Sequence, residues 1–539
     1  MRASGATLEE FPVLVVGAGP VGLAIACELG FRSVPTLLLD QGDGSVTFPA
    51  GEAIFSRTME HLRRWGIAGQ ARATSLPPHN YPHRIVFMTR VAGHLLAEFD
   101  SSATNGHAGA FAEIAAEGPA FISKFSFVPT LQRAAGALGT DVRYGHRVVE
   151  VVQDEHGVTS TVEDDTGEVQ QIRSRFLVSC EGGRSSIRRA LGIPMEGHFA
   201  QGQNVAVHFR APALAGLLDK YAGGPAVQIQ TLATPERPYI TVVNGSDEWR
   251  LSMYATAEVG VAEALRLIHA AVGRKIDVEI LSAQPWSGHR VVAKSYRQGR
   301  VFLAGDAAHL LWPKGGFGAN TGIGDAVDLG WKLAAVVDGW GGEHLLDSYE
   351  QERRPIAVRN VDEAARNWVA DRELIADPIL HVDGPEADTA RQAAAQDVVR
   401  LRTREYRTAG VQLGYRYRRS PICIPDGTPE PSDEPDHYIP STWPGCRAPH
   451  AWLPDGSSLL DHFGLGFTLL VTDGTDSTKM ELDAQRLGLP FTSLHSSNLE
   501  VATLYEAPLV LIRPDGHVCW RGSRLPEETT ELLRRVSGR

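Results

Sequence analysis

The segment "VLVVGAGPVGLAIACELGFRSVPTLLLD", residues 13–40, constrains the fold more than any other part of the chain. Val13–Val16 is a short apolar run rich in β-branched residues, which reads as a buried parallel strand. Gly17, Gly19 and Gly22 then form GxGxxG around Pro20, and Ala24–Leu29 continues as a helix. A second apolar run, Thr36–Leu39, ends in Asp40. Gly17 permits a tight turn, Gly19 lets the backbone approach a pyrophosphate, and Gly22 lets helix and strand pack closely. The helix N-terminus faces the anion, and Asp40 is placed to accept hydrogen bonds from a ribose diol. Strand, glycines, helix, strand and acid in this order predict a dinucleotide site, with NAD and FAD equally allowed by the motif.

A second strand-to-helix junction lies far downstream. Val301–Ala304 reads as another buried strand, and Gly305-Asp306 puts a carboxylate at its C-terminal edge, where α/β folds bind ligands. Gly315, Gly316 and Gly318 lead to Asn320 and Thr321, both good helix N-caps. The helix is expected from about Gly324, with Ala326, Val327, Leu329, Trp331 and Leu333 apolar. Exposed amides and a positive dipole end suit an electron-rich ring that becomes anionic.

The 539 residues predict two to four domains. A net charge of −12 and a pI near 5.9 argue against nucleic-acid binding, which needs a cationic face. Cys27, Cys180, Cys423, Cys446 and Cys519 form neither CxxC nor a zinc-ligand spacing. They read as buried free thiols in a reducing compartment, and no metal is expected. No cationic leader or membrane-length apolar run is visible, so the expectation is a cytoplasmic protein with no membrane partner.

These motifs resemble those of the class A flavoprotein monooxygenases, the family of para-hydroxybenzoate and phenol hydroxylases. The glycine loop and the residues after it are most similar to the bacterial phenol and aromatic-polyketide hydroxylases. "CEGGRSSIRRALGI" (180–193) resembles the family's second motif, and "GDAAH" (305–309) its third, whose aspartate holds the FAD ribityl chain. The resemblance implies that Gly17, Gly19, Pro20, Gly22, Asp40, Arg57, Asp306, Pro313, Gly316, Gly318, Ala319 and Asn320 bind FAD. Pro313 and the 315–320 loop would wrap the flavin ring. It further implies that NADPH or NADH reduces the flavin, O2 forms a flavin C4a-hydroperoxide, and one oxygen atom goes to a phenolic ring. Baeyer–Villiger or epoxidation chemistry, and a flavin oxidase or reductase without oxygenation, are the competing readings.

Glu181 stands where the second motif usually has Asp, and an alternative for it is a surface pair with Arg184. Phenolate formation calls for a base. Glu52, in "PAGEAIFSRTM", is the catalytic candidate beside Pro313, as a carboxylate facing an apolar aromatic pocket. Its bland reading is a loop residue paired with an arginine. His79 and His83 stand next in line.

The fold class expected is α/β: a Rossmann-like FAD-binding domain (1–75, 110–193, 286–375) interleaved with a mixed-sheet substrate domain (76–109, 194–285). "YITVVNGSDEWRLSMYA" (239–255) predicts two strands about an Asn-Gly turn. Residues 376–425 are a helical segment and linker, "EQERRP" (350–355) a helix end, and the proline-rich 415–450 stretch a linker. Residues 426–539 resemble a thioredoxin-like domain, with strands at 467–472, 499–505 and 508–522 and a closing helix at 526–536. Lacking CxxC, this tail is assigned packing or homodimer formation rather than dithiol chemistry.

Overall fold

Apolar runs buried on both faces assemble side by side. The structure, a computed structural model, describes residues 8–76, 81–100, 111–200, 202–254 and 259–539. Glu9–Val16 pairs in parallel with Thr36–Leu39 and with Val169–Ser179. Val169–Ser179 pairs in parallel with Val301–Leu303, and Thr36–Leu39 with Asp141–Arg143. The register sets Val16 against both Leu39 and Ser179, and Ser179 against Leu303, so four strands end at one edge. The chain leaving that edge carries Gly17, Asp40, Cys180 and Gly305-Asp306. Two sequence motifs some 290 residues apart are thus brought together by strand register alone.

The helix Pro20–Phe31 packs beneath this sheet with Leu23, Ile25 and Leu29 fully buried, each contributing about 1.5–3 kcal/mol. Gly22 is the contact point. A Cβ there would fall 1.8 Å from the Gly17 carbonyl oxygen, so a larger residue forces helix and strand apart.

A second sheet has seven strands in the order Glu279–Ser287, Gln203–Arg210, Glu248–Tyr254, Tyr239–Val242, Gln228–Thr231, Arg84–Met88, Leu95–Asp100. Its pairs are antiparallel except Gln228–Thr231 with Arg84–Met88. The two strands expected about Asn244-Gly245 are both present and paired. This sheet has its own core, around Phe87, Ile229 and Trp249.

Several local expectations are corrected. The glycine-loop helix begins at Phe317, not near Gly324, because Gly316 (φ +76°) already supplies the turn that starts it. Asn320 and Thr321 are therefore the fourth and fifth helical residues and are not N-caps. The helix His344–Glu373 runs straight through Pro355. Proline removes one backbone donor there, but Ile356, Ala357, Val361 and Ala364 keep the following turns buried. Residues 499–505 form a helix rather than a strand. Asn498 caps it by accepting from the Glu500 and Val501 amides, and Val501 and Tyr505 bury one face while Leu499 is exposed. The missed strand is Phe491–His495.

The 415–450 stretch has no helix or strand, yet it is no free linker. Tyr415, Tyr417, Cys423 and Arg447 are buried, and single bridges tie Arg416 to Cys446 and Arg447 to His517. Its prolines lack backbone donors, so side chains take over: Arg416 donates to the Pro431 and Ser432 carbonyls. Beyond it, four strands in the order Phe491–His495, Phe467–Val471, Leu509–Ile512, Val518–Gly522 form a separate sheet.

This C-terminal unit packs on the helices Phe317–Val337 and His344–Glu373, with Phe467 and Leu511 in one apolar core with Trp331 and a buried charge cluster beside it. Arg513 donates to Glu352 (2.6 and 3.0 Å), Asp328 (3.0 Å) and Asp515 (2.6 Å), and Lys332 donates to Asp328 (2.7 Å) and Glu352 (2.5 Å). All five side chains are buried.

The five cysteines are free. Burial pushes the Cys27 thiol up to about 12 and those of Cys423 and Cys446 to about 11, and raises Cys180 and Cys519 as well. Since the thiolate is the reactive form, native protein should react with a thiol reagent at pH 8 far more slowly than urea-unfolded protein, which should titrate all five. Rapid labelling of a native thiol would contradict this.

Candidate active site

Two cavities open along the strand-end edge. The smaller, about 320 Å³, is lined by Ala18, Gly19, Asp40, Lys124 and Tyr144 among others. The larger, about 600 Å³, lies between the seven-stranded sheet and the 306–319 segment. Phe48, Ala50 and Gln284 line both, so one elongated ligand can extend from the first into the second.

The first cavity is built by the fingerprint. Gly17 adopts φ +107°, and a Cβ on it would meet the Cys180 carbonyl oxygen at 2.5 Å. A Cβ on Gly19 would meet nothing within 4 Å, so this backbone is left bare toward open space. Pro20 begins the helix whose N-terminus faces that space. Asp40 Oδ2 accepts from the Ala18 amide at 2.6 Å and Oδ1 from the Gly42 amide at 2.7 Å, which fixes the carboxylate and leaves each oxygen a further lone pair.

Asp306 opens onto the larger cavity while protein surrounds it on the other sides. That enclosure pushes its carboxyl above the usual carboxylate range, against the opposing pull of His309, Lys124 and His289. Behind it, Asp325 accepts from His309 Nε2 (2.7 Å), the Gly305 amide (3.2 Å) and Arg353 (2.8 Å), all buried, and so holds the 305–309 turn in place. Pro313, Gly316, Gly318 and Ala319 line the same cavity at the N-terminus of the Phe317–Val337 helix. The first four amides of a helix lack intrahelical acceptors, so this end offers donors and a positive dipole end to the cavity.

Asn320 does a different task from the one expected. Its Oδ1 accepts from the Phe55 amide (2.9 Å) and Thr58 (2.7 Å), and its Nδ2 donates to the Ala53 (2.9 Å) and Gly316 (2.7 Å) carbonyls. All four of its hydrogen-bonding valences are used, so the side chain staples residues 53–58 to the glycine loop and has nothing left for a ligand.

Arg57 is the clearest departure. Its guanidinium donates to Glu60 (3.1 Å) and to the Asp515 carbonyl (2.6 Å), and it is not among the residues lining either cavity. Glu52 does line the larger cavity, but not as a carboxylate among apolar walls. Arg250 donates to both its oxygens, at 2.5 and 3.2 Å, and also to the Pro49 carbonyl at 3.0 Å. Glu181 turns to its own loop instead of to Arg184: it accepts from Ser179, Ser185, Ser186 and the Ile187 amide, capping the Ser186–Ala190 helix. His83 lines the larger cavity, whereas His79 lies outside the described residues.

Sequence reasoning missed Lys124, Tyr239, Arg250, Trp286 and Trp312, all in cavity walls. Strand alternation was the usable signal for Tyr239 and Arg250, since 239, 241, 250 and 252 share one face. Nothing local marks Lys124, whose place depends on a helix packing beside the fingerprint.

The residues fit a flavin dinucleotide: bare backbone at Gly19, an acid for a ribose, a second acid midway, and a helix end beside a ring-sized cavity. Comparison with known proteins agrees. Residues 10–364 match the family described as FAD binding domain, and residues 441–539 match aromatic-ring hydroxylase, C-terminal. The chain belongs to the FAD-dependent aromatic-ring monooxygenases, the class A flavoprotein monooxygenases, and is a flavin-dependent oxidoreductase. Among its relatives, 4-methyl-5-nitrocatechol 5-monooxygenase of Burkholderia sp is 32% identical over 560 residues, spanning 98% of this chain and 97% of that one. Tetracenomycin A2 monooxygenase-dioxygenase of Streptomyces glaucescens is 31% identical over 573 residues, 98% and 96%. The solved structure of chromopyrrolic acid-soaked RebC with bound 7-carboxy-K252c superposes with a TM-score of 0.92 at 36% identity, covering 99% of this chain and 100% of that one. Among the described residues no helix is long and apolar enough to cross a membrane.

Proposed function

We propose that this protein hydroxylates a phenolic ring, consuming NADPH or NADH and inserting one atom of O2. The observation that carries the reading is the pair of joined cavities, one walled by the glycine fingerprint and one by Asp306 and the Pro313–Ala319 loop. FAD, when bound, supplies the passage of electrons from the nicotinamide to O2 and the delivery of one oxygen atom. Gly17, Gly19, Pro20, Gly22 and Asp40 would hold its ADP half, and Asp306 its ribityl chain. Pro313, Gly316, Gly318 and Ala319 would face its ring, with the helix end stabilising negative charge there. The C-terminal unit is proposed to be thioredoxin-like in topology, with its charges committed to packing.

Glu52 would take the proton of the phenol hydroxyl, its carboxylate held beforehand by Arg250. Once Glu52 is protonated, the Arg250 cation faces the phenolate in its stead. Glu52→Gln should lower hydroxylation about tenfold, at or below the low end for loss of a base because Arg250 remains. An unchanged hydroxylation rate would assign the proton to His83 or to water.

The decisive experiment screens phenols against FAD-loaded protein for acceleration of NADPH or NADH oxidation, with product mass measured. A gain of one oxygen is expected. Nicotinamide consumption with peroxide release and no oxygenated product from any phenol would make the protein an oxidase.

A further inference from the structure

We infer that Trp368 and Asp371, near the end of the helix His344–Glu373 and outside the walls of both cavities, are positioning residues that fix Pro313 for the flavin ring. This rests on the reading that the Pro313–Ala319 loop faces that ring. The residues on either side of Pro313 both reach this one helix. Trp312 stacks on Trp368, with ring centroids 4.5 Å apart and planes 15° from parallel. Lys314 Nζ pairs with Asp371 Oδ2 at 3.2 Å. Trp368 and Asp371 stand at i and i+3 in the helix, so they share a face. Pro313 is thus bracketed, by one side chain before it and one after it, against a single helical turn. Pro313 and Trp312 line the larger cavity, whereas Lys314, Trp368 and Asp371 stand behind its wall.

The loop needs such a bracket because its own backbone is loose. Gly315 (φ +84°) and Gly316 (φ +76°) follow Pro313 and carry no side chain to anchor it. Asn320 ties down the far side of the loop, and Trp312 and Lys314 tie down the near side. Asp371 is itself held from three further directions. It accepts from the Tyr254 hydroxyl of the seven-stranded sheet at 3.0 Å and from Arg402 of the helix Pro385–Tyr406, and its backbone carbonyl accepts from Arg237. Burial pulls its carboxyl upward, but Lys314, Arg402 and Arg237 hold it well below the usual carboxylate range, so it stays charged. Lys314 Nζ also lies 5.2 Å from the centre of the Tyr239 ring, which is part of the cavity wall.

Stability does not account for the ion pair. The Lys314 and Asp371 side chains are each 7% exposed, and well-packed apolar residues often replace such a buried pair at no cost. What the pair adds is direction. It sets where the Lys314 backbone stands, and with it Pro313. Donors at a helix end stabilise a developing negative charge when they are fixed in place beforehand, and they lose that effect when the loop before them drifts.

The test reads the midpoint potential of the flavin bound to the full chain, independently of turnover. Lys314→Met and Trp368→Leu each loosen one arm of the bracket. In Lys314→Met, Asp371 keeps Arg402 and Tyr254, so no buried charge is stranded. Drift of the loop penalises the reduced, anionic ring more than the oxidised one. Each variant should therefore shift the potential negative by about 30 mV, a tenfold loss of preference for reduced over oxidised FAD, with FAD content unchanged. An unchanged potential in both overturns the inference. A shift in Lys314→Met alone overturns it as well, because that is the effect of a lost charge, which Trp368→Leu does not remove. Trp368→Phe takes the place of the leucine variant if the latter does not fold. Pro313→Ala separates this inference from the reading beneath it. If Pro313→Ala shifts the potential and the two bracket variants do not, the bracket falls and the loop still faces the ring. If Pro313→Ala leaves the potential unchanged too, the loop does not face the ring, and both fall together.

Discussion

Arg513→Ala should destabilise the protein by about 3–5 kcal/mol, read as a shift of the urea unfolding midpoint. The size follows from what the guanidinium leaves behind. Glu352 and Asp515 each hold a negative charge in a site without solvent. Burial pulls Glu352 upward, but Arg513 and Lys332 hold it at about 2; Arg513 and His517 likewise keep Asp515 well below the usual carboxylate range. Burial pushes Asp328, by contrast, well above its ordinary value. Burial and the neighbouring Glu352 charge make Asp328 the carboxyl of the three that protonates most readily, and Arg513 and Lys332 are shared among them. Asp328→Asn should cost less, about 1–3 kcal/mol, because one of the two oxygens that accept from Lys332 and Arg513 becomes an amide donor facing a cation. The pH dependences oppose one another. The stability due to Glu352, with its lowered pKa, is present above about pH 4.5 and is lost as pH falls toward 2. Asp328, with its raised pKa, costs stability as pH rises from about 4 toward its folded value, and the Asn variant lacks that cost. An Arg513→Ala variant within about 1 kcal/mol of the parent, or an Asp328→Asn variant as damaged as Arg513→Ala, would refute this balance.

Asp306→Ala should weaken FAD binding by about 2–4 kcal/mol, which is on the order of 30- to 1000-fold in dissociation constant. The carboxylate sits where the sheet's edge meets the larger cavity, on a turn locked by Asp325, His309 and Arg353. That scaffold is independent of the Asp306 side chain, so the variant should fold and purify colourless, and should take up FAD only at raised concentration. Fluorescence titration of the apoprotein with FAD measures the loss directly. A variant that purifies with a full complement of FAD and unchanged affinity removes Asp306 from the site.

The dinucleotide half of this site was legible because its signals are local. Glycine spacing, a β-branched run and an acid at a fixed distance all fall within residues 13–40. The glycine loop was legible as composition but its helix start was misplaced, because Asn320 has the chemistry of a cap and spends it on residues 53–58 instead. Arg57 was misread for a related reason. It lies on a helix beside the site, and only the arrival of residues 514–516 from the far end of the chain decides which way its charge is used. The cavity floor was invisible in sequence order, since Arg250, Thr241, Gln228 and Ile85 become neighbours only through the pairing of four strands. Residues 499–505 show the limit of short apolar runs, which fit either a strand or two helical turns until a cap such as Asn498 is recognised.

Arginine contacts around residues 514–515 sew the two ends of the chain together. Arg32 and Arg64 donate to the Pro514 carbonyl, Arg57 to that of Asp515, and Arg447 returns to Glu60. The opening and closing segments of the polypeptide are therefore mutually dependent, although each carries its own sheet. A chimaera that takes its tail from a relative must inherit both halves of this seam, or it will join two sound pieces that do not adhere. Heating the intact protein should then produce one calorimetric transition, with the two ends melting together.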